Sequence, residues 1–433
     1  MDASAALADR PAQAPAAATP DQPVASGERI VTLDLIRGIA VLGILFANIT
    51  AFGQPLDAYF WPEAMPAGPT FADRATWFFQ LVFVDHKFRG LFSLLFGAGV
   101  YLFTERAWAR GSGRWLQFRR LCWLLAFGAI HYFLIWHGDI LGTYAAAGMM
   151  ALPMLKWPAT RQLKVGIWIY VAGSLAFFVG FTGAYLASTH PEVAAYMPAD
   201  TRTSIAEAPR EALEGTDKTI ALYAGDSYPA IVRHMVTEEA GGFVSGLVIV
   251  PLMETLGLVL IGMALFRMGF FNGAFDAEKM RKWGWRGLLG GLAFTALMAL
   301  WPFVSGWQMF RTLLTFNELG RLAQLPIALG AAALLVVNAQ RLAPSWLGSR
   351  FVAAGRMAFS NYLGTSILMV FVFQGWALGL FGKLHRPGLM LIVFAVWIAM
   401  LLWSKPWLER FRYGPLEWLW RCLTYGKLFP LRR

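Results

Sequence analysis

This sequence predicts an all-α fold, a polytopic integral membrane bundle of about ten transmembrane helices, and three observations carry that expectation. Apolar residues fill 57% of the 433 positions and charged residues only 15%, where a soluble domain carries about 25% charge. With a mean hydropathy of +0.51, the chain lacks the polar groups to cover a globule of its length. Its apolar runs have the length of a bilayer crossing and alternate with short polar links. Lys and Arg are also distributed unevenly among those links, as membrane topology demands.

The elements follow in order. Residues 1–28, rich in Ala and Pro with no apolar core, read as a disordered cytoplasmic tail rather than a signal peptide. Five spans are expected in an N-terminal membrane half, 29–187, at about 33–52, 88–104, 117–137, 140–156 and 163–187. Segment 71–84 is apolar but short, which suits an interfacial or re-entrant helix. Residues 188–242 carry nine acidic side chains and four prolines, too polar to insert, and read as an exoplasmic lid or connector. Five more spans are expected in a C-terminal half, 243–404, at about 243–266, 285–304, 322–339, 357–381 and 388–404. Residues 405–433, with their Trp and Arg, read as a cytoplasmic amphipathic tail on anionic lipid. With both termini cytoplasmic, 25 of the 37 Lys and Arg fall inside and eight outside, the arrangement the positive-inside rule favours.

The same arithmetic narrows the function. Cys122 and Cys422 are too few for a disulfide framework or a thiolate zinc site, and no metal is expected. The net charge of +11 is cytoplasmic-loop chemistry rather than a nucleic-acid surface. No phosphate-binding glycine loop is present, which argues against an ATP-driven pump. No internal repeat supports an inverted-repeat transporter.

Charges at membrane depth are costly, so each needs a partner or a task. Asp34 and Arg37 lie three apart on one helix face, either as an ion pair at the helix start or as a site for an anionic group, since a guanidinium matches phosphate geometry. Asn48, eleven residues on, is a weak mark of a polar seam. Lys87 and Arg89 open a span within Asp85-His86-Lys87-Phe88-Arg89, either snorkelling to the interface or lining a basic exoplasmic cavity. Gly97 and Gly99 allow helices to approach closely there. His131 sits inside an apolar run and Asp139 in the tight link after it. A neutral core histidine and a helix N-cap account for them separately; together they make a base and the carboxylate that orients it. Arg120, eleven residues before His131, is either an ordinary cytoplasmic flank or an inner anion contact. Glu254 stands alone in its span and must meet a basic partner, line a polar cavity or be neutral. Arg356, Ser360 and Asn361 begin a polar stripe of the kind that holds helices together.

Taken together these segments resemble the YeiB-like bacterial membrane proteins. The resemblance rests on Arg29-x4-Asp34-x2-Arg37-Gly38, on Lys87-Phe88-x2-Leu91-Phe92-Ser93-x2-Phe96-Gly97 and on His131-x7-Asp139-Ile140-Leu141-x2-Tyr144-Ala145. It continues through Gly355-Arg356-Met357-x2-Ser360-Asn361-Tyr362 and Gly414-Pro415-Leu416-Glu417-Trp418-x-Trp420-Arg421. The last two motifs lie in what is called domain of unknown function 418. His137 stands where the family pattern carries a small polar residue.

That family is similar to a superfamily of transmembrane acyltransferases that includes heparan-alpha-glucosaminide N-acetyltransferase. The resemblance implies a protein of the bacterial inner membrane that moves an acyl group, acetyl above all, from cytoplasmic acyl-CoA to an exoplasmic or lipid-linked acceptor. It implies a membrane histidine, matched here by His131, as base or transient acyl carrier. Asp139 would orient it, and Asp34, Arg37, Asn48, Lys87, Arg89, Arg120, Tyr144, Glu254, Arg356 and Asn361 would surround the substrates. The expected partners are membrane lipid and a small-molecule or glycan acceptor, with no nucleic acid, and glycine-bearing faces permit a homodimer. A small-molecule or lipid transporter or flippase would explain the same buried charges; a non-catalytic scaffold or receptor acting through 188–242 is the third reading.

Overall fold

The computed structural model describes residues 30–433, which fold into helices with one isolated antiparallel bridge, Phe411 to Arg432. The expected tail 1–28 lies outside the described residues. We number the longer helices α1 (Val31–Gly53), α2 (Phe71–Phe83), α3 (Lys87–Ala109), α4 (Arg114–Leu134), α5 (Leu141–Ala151) and α6 (Ala159–Thr189). There follow α7 (Ala199–Tyr223), α8 (Tyr228–Thr237), α9 (Ala240–Arg267), α10 (Ala277–Ala299) and α11 (Gln324–Leu342). The last are α12 (Trp346–Arg356), α13 (Ala358–Phe373), α14 (Arg386–Arg410) and α15 (Pro415–Tyr425).

Their ends have local causes. Thr70 and Asp73 form a reciprocal capping box at the start of α2, satisfying two orphan N–H groups. Pro387 stands in the first turn of α14, where its missing N–H costs nothing. α9 is interrupted by a π-helical turn at Pro251–Thr255: proline cannot donate to the α ladder, and the backbone widens around it. A second π turn, Thr315–Leu319, precedes α11.

The chain is a helical membrane protein, but the ten expected crossings are not all matched. Among the described residues six helices are long and apolar enough to cross a membrane, seven if the pair α12–α13, bent by 83°, counts as one. Those six are α1, α6, α9, Ala277–Ser305, α11 and α14. The 23-residue α3 and 21-residue α4 have the length, yet charges such as Arg89, Arg106, Arg119 and Arg120 dilute them. In the run 140–156, the 11-residue α5 covers only about 16 Å before a 3₁₀ turn at Leu152–Lys156 takes over.

Packing places the site. α1 lies against α12, α9 against both α3 and α6, α10 against α11, and α4 against α5. Gly97 allows the α3–α9 contact, since a Cβ there would stand 2.1 Å from the Val259 carbonyl oxygen. A continuous core of buried Leu, Ile, Ala and Phe from α1, α3, α5 and α9 fills the centre, and Trp136 belongs to a second cluster with Phe52, Tyr223 and Phe373.

Candidate functional site

His131 and Asp139 are brought together. The last turn of α4 carries His131, fully buried, and the link after it returns Asp139 so that Oδ1 lies 2.9 Å from His131 Nδ1. The other carboxylate oxygen, Oδ2, accepts from the Gly142 N–H at 2.7 Å, so Asp139 both starts α5 and holds the imidazole. Gly128 makes room: a Cβ there would be 2.9 Å from Asp139 Oδ2 and 2.5 Å from the Gly142 nitrogen. In the tautomer that donates Nδ1–H to the carboxylate, Nε2 is left with the ring's lone pair. Nε2 is buried and meets no hydrogen-bond partner among the described residues. Buried polar atoms are seldom left so.

Two cavities flank this pair, each one aromatic ring away. The first, about 330 Å³, lies among α1, α3, α4, α5, α12, α13 and α15. Arg37, Arg106, Arg120, Arg356, Arg412 and Arg421 line it, together with Asp34 and Glu417. Its apolar wall is built from Val41, Ile44, Phe92, Leu95, Phe96, Leu124, Ile140 and Leu141. Along α3, Phe92 stands about 21 Å from Arg106, so the cavity has a basic end and an apolar end. Tyr144 and Tyr362 also line it; the Tyr362 ring is 5.2 Å from the His131 ring.

The second cavity, about 200 Å³, is lined by Gln54, Asp57, Trp136, His137, Tyr223, His234 and Glu239 among others. Here Trp136 is the near wall, its ring stacked on Phe52 at 3.8 Å and 6.3 Å from the His131 ring. Segment 188–242 reaches across this cavity. Tyr223 at the end of α7 lies 3.3 Å from His137 Nδ1, and Tyr228 of α8 donates to the Leu134 carbonyl. Burial pushes the His137 imidazole below its usual range.

The other sequence candidates divide between these places. Asp34 and Arg37 pair at 2.9 Å on the basic wall. The Arg120 guanidinium lies between the Phe103 and Trp420 rings at 4.5 and 4.2 Å, and Tyr144 Oη is 3.2 Å from Ser93 Oγ. Arg356 lines the cavity. Asn48 lines neither cavity. Asn361 braces helices, donating to Ala354 O and Ser404 Oγ and accepting from Trp403 Nε1. Lys87 and Arg89 line neither cavity. Lys87 donates to Leu81 O at 2.5 Å. Arg89 reaches Glu254 at 2.7 Å.

Glu254 also accepts from Arg321 at 3.3 Å and from Gln324 at 3.1 Å, while Arg321 makes a second pair with Glu318 at 2.8 Å. Both carboxylates sit on the π turns and are paired within this network, while Arg321 Nε meets no hydrogen-bond partner among the described residues. Sequence reading missed Arg321 and Glu318; their three-residue spacing next to a span was the available signal. It also missed Arg386, buried and bonded to Gln80 Oε1, Ala58 O and Tyr59 O, with its backbone N–H on Asp73 Oδ1.

The larger omission is α15. It packs on α4 and α13: Trp420 Nε1 donates to the Arg120 carbonyl at 2.9 Å. Glu417 accepts from Phe359 N at 2.8 Å, Ser360 N at 3.1 Å and Ser360 Oγ at 2.5 Å, capping the positive end of α13. Burial pushes its carboxyl above the usual range, and the bonds from Ser360 and Phe359 pull it back. The amphipathic tail is thus a wall of the basic cavity.

Residues 265–427 match the family model described as "Protein of unknown function (DUF418)". The chain is 32% identical to the "Uncharacterized protein YeiB" of Escherichia coli over 93% of its own length and 98% of that protein. It is 30% identical to the "Uncharacterized protein YxaH" of Bacillus subtilis over 95% and 98%. It is 28% identical to an "Uncharacterized 39.9 kDa protein in amylase 3'region" of Bacillus acidopullulyticus over 94% and 97%. No solved structure matches. The chain belongs to the YeiB-like, DUF418-containing family.

Proposed function

We propose that this YeiB-like protein is a transmembrane acyltransferase of the bacterial inner membrane, moving an acyl group, acetyl above all, from cytoplasmic acyl-CoA to an acceptor on the other face. The observation that carries the reading is the buried His131–Asp139 pair between an arginine-lined cavity and a second cavity. In this reading both termini are cytoplasmic, and α3, α4, the 140–156 run and α13 cross alongside the six longer apolar helices, which gives the ten crossings.

Each part has work to do. Arg37, Arg120 and their neighbours on the basic wall hold phosphates, for which guanidinium groups are suited by charge and shape. The apolar wall from Val41 to Leu141 takes the pantetheine arm and presents the thioester past Tyr144 and Tyr362. His131 Nε2 accepts the acceptor's proton, and the Asp139 carboxylate stabilises the imidazolium that forms. Burial keeps water from competing for the acyl group. The test is acyl-CoA turnover by purified full-length protein in nanodiscs: it should consume the thioester, and His131→Ala should stop it while the thermal transition stays in place. An unchanged rate in that variant removes His131 from the chemistry.

One observation favours a second reading, a small-molecule or lipid transporter: the buried Arg89–Glu254–Arg321–Glu318 network could form part of a polar pathway. It requires substrate flux into liposomes without acyl-CoA.

A further inference from the structure

Trp136 gives the site a second unpaired nitrogen. Its Nε1–H is buried and, like His131 Nε2, has no hydrogen-bond partner among the described residues. One group is a bare acceptor, the other a bare donor. Their rings stand 6.3 Å apart with planes at 76°, and Trp136 faces the second cavity. Unpaired groups of opposite hydrogen-bonding sense on two neighbouring rings can be satisfied together by one small X–H group. Its hydrogen goes to the imidazole, and a lone pair of X takes the indole N–H.

Resting on the acyltransfer reading, we propose that the acceptor is a neutral alcohol, entering from the second cavity and held by its hydroxyl between His131 Nε2 and Trp136 Nε1. A hydroxyl oxygen has two lone pairs, so it can accept from Trp136 and still attack with the other. A neutral amine has a single pair, and accepting the indole N–H would occupy the electrons needed for attack. The cavity wall adds charge selection, with Asp57 and Glu239 and no Lys or Arg among its described lining residues, which disfavours an anionic acceptor. In the reaction the O–H proton passes to His131 Nε2 as the oxygen attacks the thioester carbonyl carbon. A C–O bond forms, the C–S bond breaks, and the departing thiolate takes the proton from the imidazolium. The products are an ester and free CoA thiol. Trp136 is a positioning residue in this scheme.

The experiment uses the full chain in nanodiscs with radiolabelled acetyl-CoA and two matched probes at equal concentration, octyl β-glucoside and its 2-amino-2-deoxy analogue. The expected product is a hydroxylamine-labile ester on the glucoside. Trp136→Phe, which keeps the ring and removes the N–H, should lower kcat about tenfold, the effect of one lost hydrogen bond, with KM for acetyl-CoA unchanged. His131-dependent hydrolysis to acetate alone, with no ester on the glucoside, counts against an alcohol acceptor. A hydroxylamine-stable amide formed in preference to the ester overturns it whatever the variant does, and so does a Trp136→Phe protein that folds and turns over like the wild type. Absence of any His131-dependent thioester consumption removes the acyltransfer reading itself, a result distinct from an amide product.

Discussion

Two buried polar groups at membrane depth behave in opposite ways. Around Glu254 both carboxylate oxygens are partnered: Arg89, Arg321 and Gln324 converge on them, and Glu318 takes the other side of Arg321. Around His131 it does not, because Asp139 satisfies Nδ1 and nothing among the described residues satisfies Nε2. A paired carboxylate joins α3, α9 and the segment before α11; the His131 nitrogen, one aromatic ring from each of two cavities, has no such partner. The difference teaches that burial and charge alone do not mark a site in a membrane bundle.

The comparison can be broken from either side. The largest expected effect is on chemistry: His131→Ala should lower acyl-CoA turnover by about 10²–10⁴-fold, the range for loss of a general base, with the unfolding transition retained. Next is Glu254→Ala, which leaves two guanidinium groups facing an empty place. It should cost about 3–5 kcal/mol of stability, read as a lower detergent-resistant Tm, and a folded, inactive Glu254→Gln protein would instead move the cluster into the mechanism. Arg120→Ala should raise KM for acyl-CoA about tenfold or more with kcat little changed, as expected when a charge-assisted contact to phosphate is lost. The smallest effect should come from Asn361→Ala, about 1–3 kcal/mol of stability from buried partners left unpaired, and turnover of the folded fraction should equal that of wild type.

Much of the site was legible along the chain. The i, i+3 spacing of Asp34 and Arg37 allowed the pair they form, and an imidazole eight residues before a carboxylate in a tight link left the pair with Asp139 open beside a core histidine and a helix N-cap. Gly97 was read as a point of close helix approach, and α3 meets α9 there. Lys87 and Arg89 were harder: four ionisable groups in five residues suggested a basic cavity, but Lys87 turns back onto Leu81 and Arg89 crosses to Glu254, 165 residues away. The tail shows the same limit. Its Trp and Arg pattern fits a lipid surface as well as a protein surface, and only the position of α13 decides that Glu417 caps it.

By itself, then, the sequence determined the solvent and the local order. A chain with 15% charge and continuous apolar runs of bilayer-crossing length folds as membrane helices, because each such run satisfies its own backbone in lipid as a helix. It also determined the pairs whose members lie within a few turns of one helix or link. The tertiary structure alone decided the long-range choices: which of the buried charges neutralise one another, which helix ends meet around the basic cavity, and that His131 lies between two cavities with Trp136 beside it. The physical reason is that local geometry fixes neighbours along the chain, whereas the partner of a buried charge depends on which distant helices pack together.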